Sequence, residues 1–297
     1  MALMRTLCFG EVLVDLVCEH PVDSPSQADA FVPRFGGDVA NAAVTAARAG
    51  AEVALAGAAG DDAWGAWLRA RLAQEGVALD WFALLDGVRT PIAFVTVDSA
   101  GEPTFGFYGD SAAAGARLAD ALGACDALFF TSNSLLDERE RMLAVTARRQ
   151  ALDDGKPVVL DANLRPARWA ATETAVSVVR GCVPHVLLLK CNRAEASALT
   201  ERDDPAAAAD ALIAMGAVSV VVTLGPDGAL LRGAGGSVDV PGVPASPVDT
   251  TGAGDAVSGT LLARLAAARF DPSVLPDALT EGVIAAARVT ERYGAIA

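Results

Sequence analysis

Asp249-Thr250-Thr251-Gly252-Ala253-Gly254-Asp255 gathers more chemistry-bearing features than any other stretch of the 297-residue chain. Two glycines directly before a helix-like apolar run to about Ala268 let backbone N–H groups approach a ligand closely. The start of a helix adds partial positive charge, so the combination suits a phosphate. Asp255, closing the string, would stand beside a reacting phosphoryl group and could take the proton of an attacking hydroxyl, the work of a general base. Other phosphate loops do not fit the letters. A dinucleotide fingerprint needs Gly at 257, where Val257 stands. A Walker A loop needs Gly-Lys-Ser/Thr, and the one Gly-Lys pair, Gly155-Lys156, runs into Pro157. Lys156 and Lys190 are the only lysines, and neither sits in a protein-kinase V-A-I-K context. The plain alternative is a glycine-rich helix start in which Asp255 merely favours the dipole.

Five further segments carry candidate groups, each with an ordinary structural explanation beside it. Asp15 closes a strand-like run and could simply cap the following loop. Gly36-Gly37-Asp38-Val39-Ala40-Asn41 reads as a loop with an Asp or Gly helix cap. Asp161-Ala162-Asn163-Leu164-Arg165 follows a predicted strand, and Arg165 offers a planar, permanently charged donor fork. Asn192-Arg193-Ala194-Glu195 has the spacing of a commonplace helix N-terminus. Thr223-Leu224-Gly225-Pro226-Asp227-Gly228 has the residues of a tight turn in any fold.

These segments need a scaffold, and the hydrophobic pattern supplies one. Thr6–Val14 reads as a buried strand, 38–49 as a helix closed by Gly50, and 53–58 as the next strand. A helix from about Asp62, capped by Asp61 or Asp62, ends at Gly76. Short apolar runs at 127–131, 157–161, 186–190 and 218–223 are each expected to lead into a helix. Uniformly apolar strands belong to a parallel sheet covered on both faces. The alternation therefore predicts an α/β fold, a doubly wound three-layer α/β/α domain. Pro205 in the first turn marks 203–215 as an ordinary helix. Two stretches break the rhythm: 16–35, with three prolines, and 81–111, with β-like runs at 81–85, 92–97 and 104–108. Together they predict a small antiparallel sheet, either a lid over the site or an ordinary edge extension.

Composition excludes several classes. The net charge is −14, with 23 Lys plus Arg against 37 Asp plus Glu, so no nucleic-acid partner is expected. No uninterrupted apolar run of about 18 residues exists, so no membrane span is expected. No small-residue cleavage site follows the short apolar stretch of Met1–Phe9, so no signal peptide is expected either. Five scattered cysteines without C-x-x-C spacing argue for reduced core thiols in a cytoplasmic protein, not for disulfides or structural zinc.

Taken with its neighbours, the 249–255 string resembles the C-terminal signature of the ribokinase-like (PfkB) family of carbohydrate kinases, and the resemblance runs along nearly the whole chain, 1–297, as one kinase domain. It implies an ATP-dependent enzyme in which Gly252, Ala253 and Gly254 form an anion hole and Asp255 is the base. Gly36, Gly37 and Asn41 resemble the motif that cradles the sugar, and Asp15, in Gly10–Asp15, would bind sugar hydroxyls. Asp161–Arg165 is similar to the D-x-N-x-R segment of fructokinases and 2-keto-3-deoxygluconate kinases, with Arg165 facing the phosphate or substrate. Asn192 and Glu195 match the N-x-x-E motif that organises Mg²⁺ near ATP, Glu195 as the metal residue. Thr223, Gly225 and Gly228 match the nucleotide loop. The segments 286–290 and 294–295 resemble the region over adenine, which in some members helps hold a monovalent cation. Thr260 departs from the usual small residue. A homodimer through the lid is also implied.

Within the family, 10–17 and 161–166 favour a fructokinase-like ketose kinase, whereas 35–38 and 111–113 lean toward 2-keto-3-deoxygluconate kinases. Members of the latter group carry an Arg after the tyrosine of the preceding strand. Here Tyr108 is followed by Gly109 and Asp110, and an acid there would repel a carboxylate. Fructose is therefore the expected substrate, with other sugar or nucleoside kinases as alternatives. A non-catalytic sugar-binding regulator is the alternative of a different class, and it would have no need of Asp255 with both glycines. An oxidoreductase is disfavoured by Val257.

Overall fold

The computed structural model describes residues 4–296. Residues 1–3 and 297, including the start of the segment read for a leader, lie outside the described residues.

The chain begins with β1 (Arg5–Phe9), whose side chains alternate between two cores: Leu7 and Phe9 enter one, Cys8 the other. The strand expected over 6–14 breaks at Gly10. A Cβ on Gly10 would lie 2.7 Å from both Ser134 Oγ and Val39 Cγ2, so the backbone turns off through a gap only glycine fits. The chain resumes as β2 (Leu13–Val17), which belongs to a second sheet and pairs antiparallel with β3 (Val32–Gly36). Gly37 follows at φ 99° and opens α1 (Asp38–Arg48). β4 (Glu52–Gly60) returns to the main sheet beside β1. α2 (Ala63–Gln74) starts at Asp62, which accepts a hydrogen bond from Gly65 N at 2.9 Å.

β5 (Phe82–Leu85) pairs parallel with β4, so the 81–85 run assigned to the small sheet lies at the edge of the main one. β6 (Ile92–Val97) and β7 (Pro103–Tyr108) complete the small sheet, in the order β3-β2-β6-β7. Its boundaries therefore differ from the expected 16–35 and 81–111: it gains 13–15 and Gly36 and loses 81–85. Its β2–β6 pairing is also parallel, so the sheet is mixed instead of antiparallel.

α3 (Leu118–Gly123), β8 (Ala127–Thr131), α4 (Glu138–Asp153), β9 (Val158–Asp161), α5 (Thr172–Cys182), β10 (Leu188–Asn192), α6 (Arg193–Thr200), α7 (Pro205–Ala214) and β11 (Ser219–Thr223) then build the second half. The helix expected after β11 is absent. Gly225 and Gly228 both take positive φ, and the chain reverses into β12 (Gly228–Gly233) and β13 (Val238–Pro241), antiparallel edge strands. α8 (Ala253–Ala267) and α9 (Leu275–Val289) close the fold. The main sheet has the order β13-β12-β11-β10-β9-β8-β1-β4-β5. Helices α1, α2, α8 and α9 pack on one face and α3 to α7 on the other, the three layers expected.

Gly259 brings α8 against α1, since a Cβ there would meet Ala42 O and Thr45 Cβ at 2.5 Å. Its neighbour Thr260 donates to Ala256 O at 2.8 Å, so the hydroxyl in place of a small residue is satisfied within its own helix. β1, β8, β9, β10 and β11 run parallel and release their loops at one edge of the sheet, where open α/β sheets form their ligand crevice.

Candidate active site

A cavity of about 510 Å³ opens at that edge, walled by the parallel-strand loops, the start of α8 and the inner face of the small sheet. Asp15, Gly37, Asn41, Arg165, Asn192, Glu195, Thr223, Gly225, Gly252, Gly254 and Asp255 all line it. Gly36, Ala253 and Gly228 lie outside the wall. Gly36 nevertheless shapes it, because a Cβ there would collide with the Asp15 carboxylate. Ala253 is the first residue of α8. Gly228, at φ 99°, leaves room for Val240 O and for Gly242 N just past the end of β13, and its role is in the sheet edge.

The two ends of the cavity differ chemically. At one end Gly252 takes φ 79° as the N-cap of α8, and a Cβ on it would strike Ala295. Asp255 lies in the first turn, accepting a hydrogen bond from Asn41 Nδ2 at 2.9 Å. Burial raises its pKa to about 7, and the nearby Asp38 charge adds to the rise. Beneath the turn, Lys190 Nζ donates to Asp161 Oδ2 at 3.0 Å, and Ser258 Oγ donates to the same oxygen at 2.7 Å. Burial opposes the Lys190 charge, but Asp161, Glu195 and Asp255 hold its pKa above the ordinary lysine value. A Cβ on Gly254 would come within 2.7 Å of Lys190 Nζ. Glycine thus keeps a cradle open over an ammonium, in front of a helix N-terminus, which fits an anionic phosphoryl group.

Asn192 and Glu195 form a reciprocal capping box: Asn192 Oδ1 accepts from Glu195 N at 2.9 Å, and Glu195 Oε2 accepts from Asn192 N at 2.8 Å. The ordinary structural role of this motif is therefore filled, while both residues still face the cavity. Burial raises the Glu195 pKa, and Lys190 counters it. No group of three or more His, Cys, Asp or Glu suited to a metal occurs among the described residues. A single carboxylate fits a hard ion that takes its other ligands from phosphate and water.

The other end is lined with carboxylates. Asp15 on β2 is buried, and burial followed by repulsion from Asp255, Glu11 and Asp249 raises its pKa to about 8. Asp38 Oδ2 accepts from Thr131 Oγ1 at 2.6 Å and from Asn133 Nδ2 and Asn163 Nδ2 at 2.7 Å each. Asn163 adopts φ 32° to reach it. Asn41 Oδ1 and Asn133 Oδ1 are buried in the wall without a hydrogen-bond partner among the described residues. Acceptors in this state suit a ligand that brings hydroxyl donors.

A family model, pfkB family carbohydrate kinase, matches residues 4–297. The chain belongs to the pfkB family of carbohydrate kinases. Among pfkB relatives, Fructokinase-1 of Zea mays is 33% identical over 277 residues, 91% of this chain and 84% of the relative. A solved double mutant of Vibrio cholerae O395 fructokinase, in fructose, ADP and potassium ion bound form, superposes with TM-score 0.88 at 28% identity, covering 100% of this chain and 96% of that one. Aminoimidazole riboside kinase from Salmonella enterica, complexed with aminoimidazole riboside and an ATP analog, gives TM-score 0.84 at 26% identity over 98% and 95%. The protein is an ATP-dependent sugar kinase with the ribokinase-like fold.

Several cavity residues escaped the sequence reading. Lys190 had a usable signal: it is one of two lysines, ending an apolar strand. The other, Lys156, bonds the carbonyls of Leu122 and Cys125 at 2.6 and 2.9 Å and is structural. Asp38 looked like a helix cap, and Asp38 Oδ1 does accept from Val39 N, but its other oxygen is held in the cavity. Glu11, Asn133 and Arg168 have no local pattern and meet only through the topology.

Proposed function

We propose that this kinase phosphorylates a hydroxyl of a neutral ketohexose, with fructose as the first substrate to test. The observation that carries the reading is the carboxylate-lined end of the cavity, where Arg168 is committed to Glu11 at 2.7 Å. Carboxylates and buried, unpartnered amide oxygens favour a donor-rich, uncharged sugar. The Zea mays fructokinase similarity supports fructose within that class. The riboside kinase similarity supports a second reading, a neutral riboside. The 2-keto-3-deoxygluconate alternative keeps the support of 35–38 and 111–113, but Asp110 stands exposed beyond Tyr108 where a carboxylate would need a cation.

In the reaction, Asp15, Gly37 and Asn41 orient the sugar while Asp255 takes the proton of the attacking hydroxyl. Asn41 holds the Asp255 carboxylate in line. The amides at the start of α8, with Lys190 beneath and Arg165 alongside, hold the transferring phosphoryl oxygens. Thr223, Gly225 and Asn192 border the nucleotide end. Glu195 and Asn192 would hold Mg²⁺, largely through water, and the ion would offset phosphate charge when bound. The small sheet acts as a lid that excludes water and so suppresses hydrolysis of ATP. A monovalent cation near the Asp249–Thr251 loop is part of the proposal, because Thr251 Oγ1 is buried there without a partner among the described residues. The rate with potassium against sodium tests it.

Five free, buried thiols support a reducing, cytoplasmic setting. No described helix is long and apolar enough to cross a membrane. The outer lid face, where Phe94 meets Phe31 and Tyr108 edge-on at 5.0 and 5.3 Å, supports a homodimer. The deciding experiment is coupled ADP release with Mg-ATP over fructose, tagatose, ribose, 2-keto-3-deoxygluconate and aminoimidazole riboside. Highest kcat/KM with fructose upholds the ketohexose reading, and highest kcat/KM with the acid or the riboside overturns it.

A further inference from the structure

Arg168 reaches the cavity from the short turn after β9 and is held on two sides. Its two terminal nitrogens donate to the two oxygens of Glu11, at 2.7 and 3.0 Å. Its guanidinium carbon lies over the ring of Phe107, 4.3 Å from the ring centroid. These partners lie at the chain's entry to the small sheet and its exit from it. Glu11 sits at the break between β1 and β2, where the chain first leaves the main sheet, and Phe107 is on β7, from which the chain returns. Glu11 is itself fixed: it is buried, and its carbonyl packs where Gly37 lacks a side chain. Phe107 is 39% exposed, stacks on Phe105 at 5.9 Å within its own strand, and meets Arg168 of the main body on the cavity side.

We infer that Arg168 is the seat of the lid: a positioning residue whose guanidinium plane, set by Glu11, fixes β7 over the sugar end of the cavity. A guanidinium meets both demands at once, since its fork makes the bidentate pair while its delocalised charge lies over the ring. A lysine in its place keeps the charge and loses both geometries. Arg165 is differently placed: among the described residues its side chain donates to the carbonyl of its neighbour Leu164, at 3.4 Å. The inference rests on the sugar-kinase reading for which end of the cavity takes the sugar, and its first test needs no substrate.

Hydrogen–deuterium exchange of the free full-length protein reads the lid directly. Arg168→Ala should speed exchange at 103–108 by about fivefold, the scale of a partly exposed cation–π contact, and leave β8 and β9 unchanged. Arg168→Lys should behave like Arg168→Ala, whereas rescue by lysine would mean that only charge matters. In the kinetics, sugar KM should rise by about tenfold with kcat within about twofold of the parent. Phe107→Leu leaves the Glu11–Arg168 pair intact and should reproduce both changes, and the double variant should add little to either single one. Phe107→Leu also decides the matter should Arg168→Ala fail to fold. Unchanged exchange at 103–108 in Phe107→Leu, or an unchanged sugar KM beside faster exchange, would overturn the inference. Failure of fructose as substrate would appear only in the choice of sugar and would leave the exchange result standing.

Discussion

Asp255 sits where burial and charge set its proton affinity near neutrality, and this has a signed consequence. Its pKa is raised to about 7, so below that pH the carboxyl is protonated and could not serve as the proposed base. With Asp255 as the base, kcat/KM should rise about tenfold per pH unit up to about pH 7 and then level, read from initial rates across pH 5 to 9. Asp38→Asn removes a charge that pushes the Asp255 pKa up, and should shift that midpoint to lower pH. Asp255 was legible in the sequence because Gly-x-Gly-Asp before a helix is a local pattern with a local mechanism. Asp38, Lys190, Arg168 and Glu11 were not read as site residues, since their partners lie between 29 and 157 positions away. Spacing along a chain carries no information on such meetings.

At the scale of elements, two glycines do what no other residue could. Gly252 takes φ 79°, and a Cβ on it would run into Ala295 from the C-terminal segment. Gly252→Ala should therefore move the first turn of α8 and lower kcat/KM for ATP by about tenfold or more, with a backbone cost of about 1–2 kcal/mol visible in thermal unfolding. Gly36→Ala would drive a methyl into the Asp15 carboxylate, so sugar KM should rise while ATP KM holds, measured in the same assay. The helices after strands were legible from period and caps, as with Asp62 opening α2. The break at Gly10 and the reversal after β11 were not. An apolar run looks the same whether one strand crosses it or two strands share it, and Gly225 to Gly228 spells a turn without saying which way the chain goes next.

Across the whole molecule, the site places acidic groups together at a cost that depends on pH. Burial raises Asp15 to about 8 and Asp255 to about 7, both above the usual carboxylate value in an unfolded chain. Raised folded values mean that their contribution to stability is complete below the unfolded pKa and is lost as pH rises through 7 and 8. Asp15→Asn should consequently raise Tm by a few degrees at pH 8.5 and by less near pH 5, followed by thermal unfolding. Three layers, a parallel sheet and an added small sheet were legible in the alternation of apolar runs. The order of the strands was not, because nothing local specifies which strand lies beside β1.

The proposed role of Asp255 as the base of this sugar kinase is decided by Asp255→Asn. The substitution keeps the size of the side chain and removes the proton acceptor. Coupled ADP release with Mg-ATP and the best sugar should fall in kcat by about 10²–10⁴-fold, with sugar affinity by calorimetry within a few-fold of the parent. Turnover in Asp255→Asn within a few-fold of the parent would contradict the account.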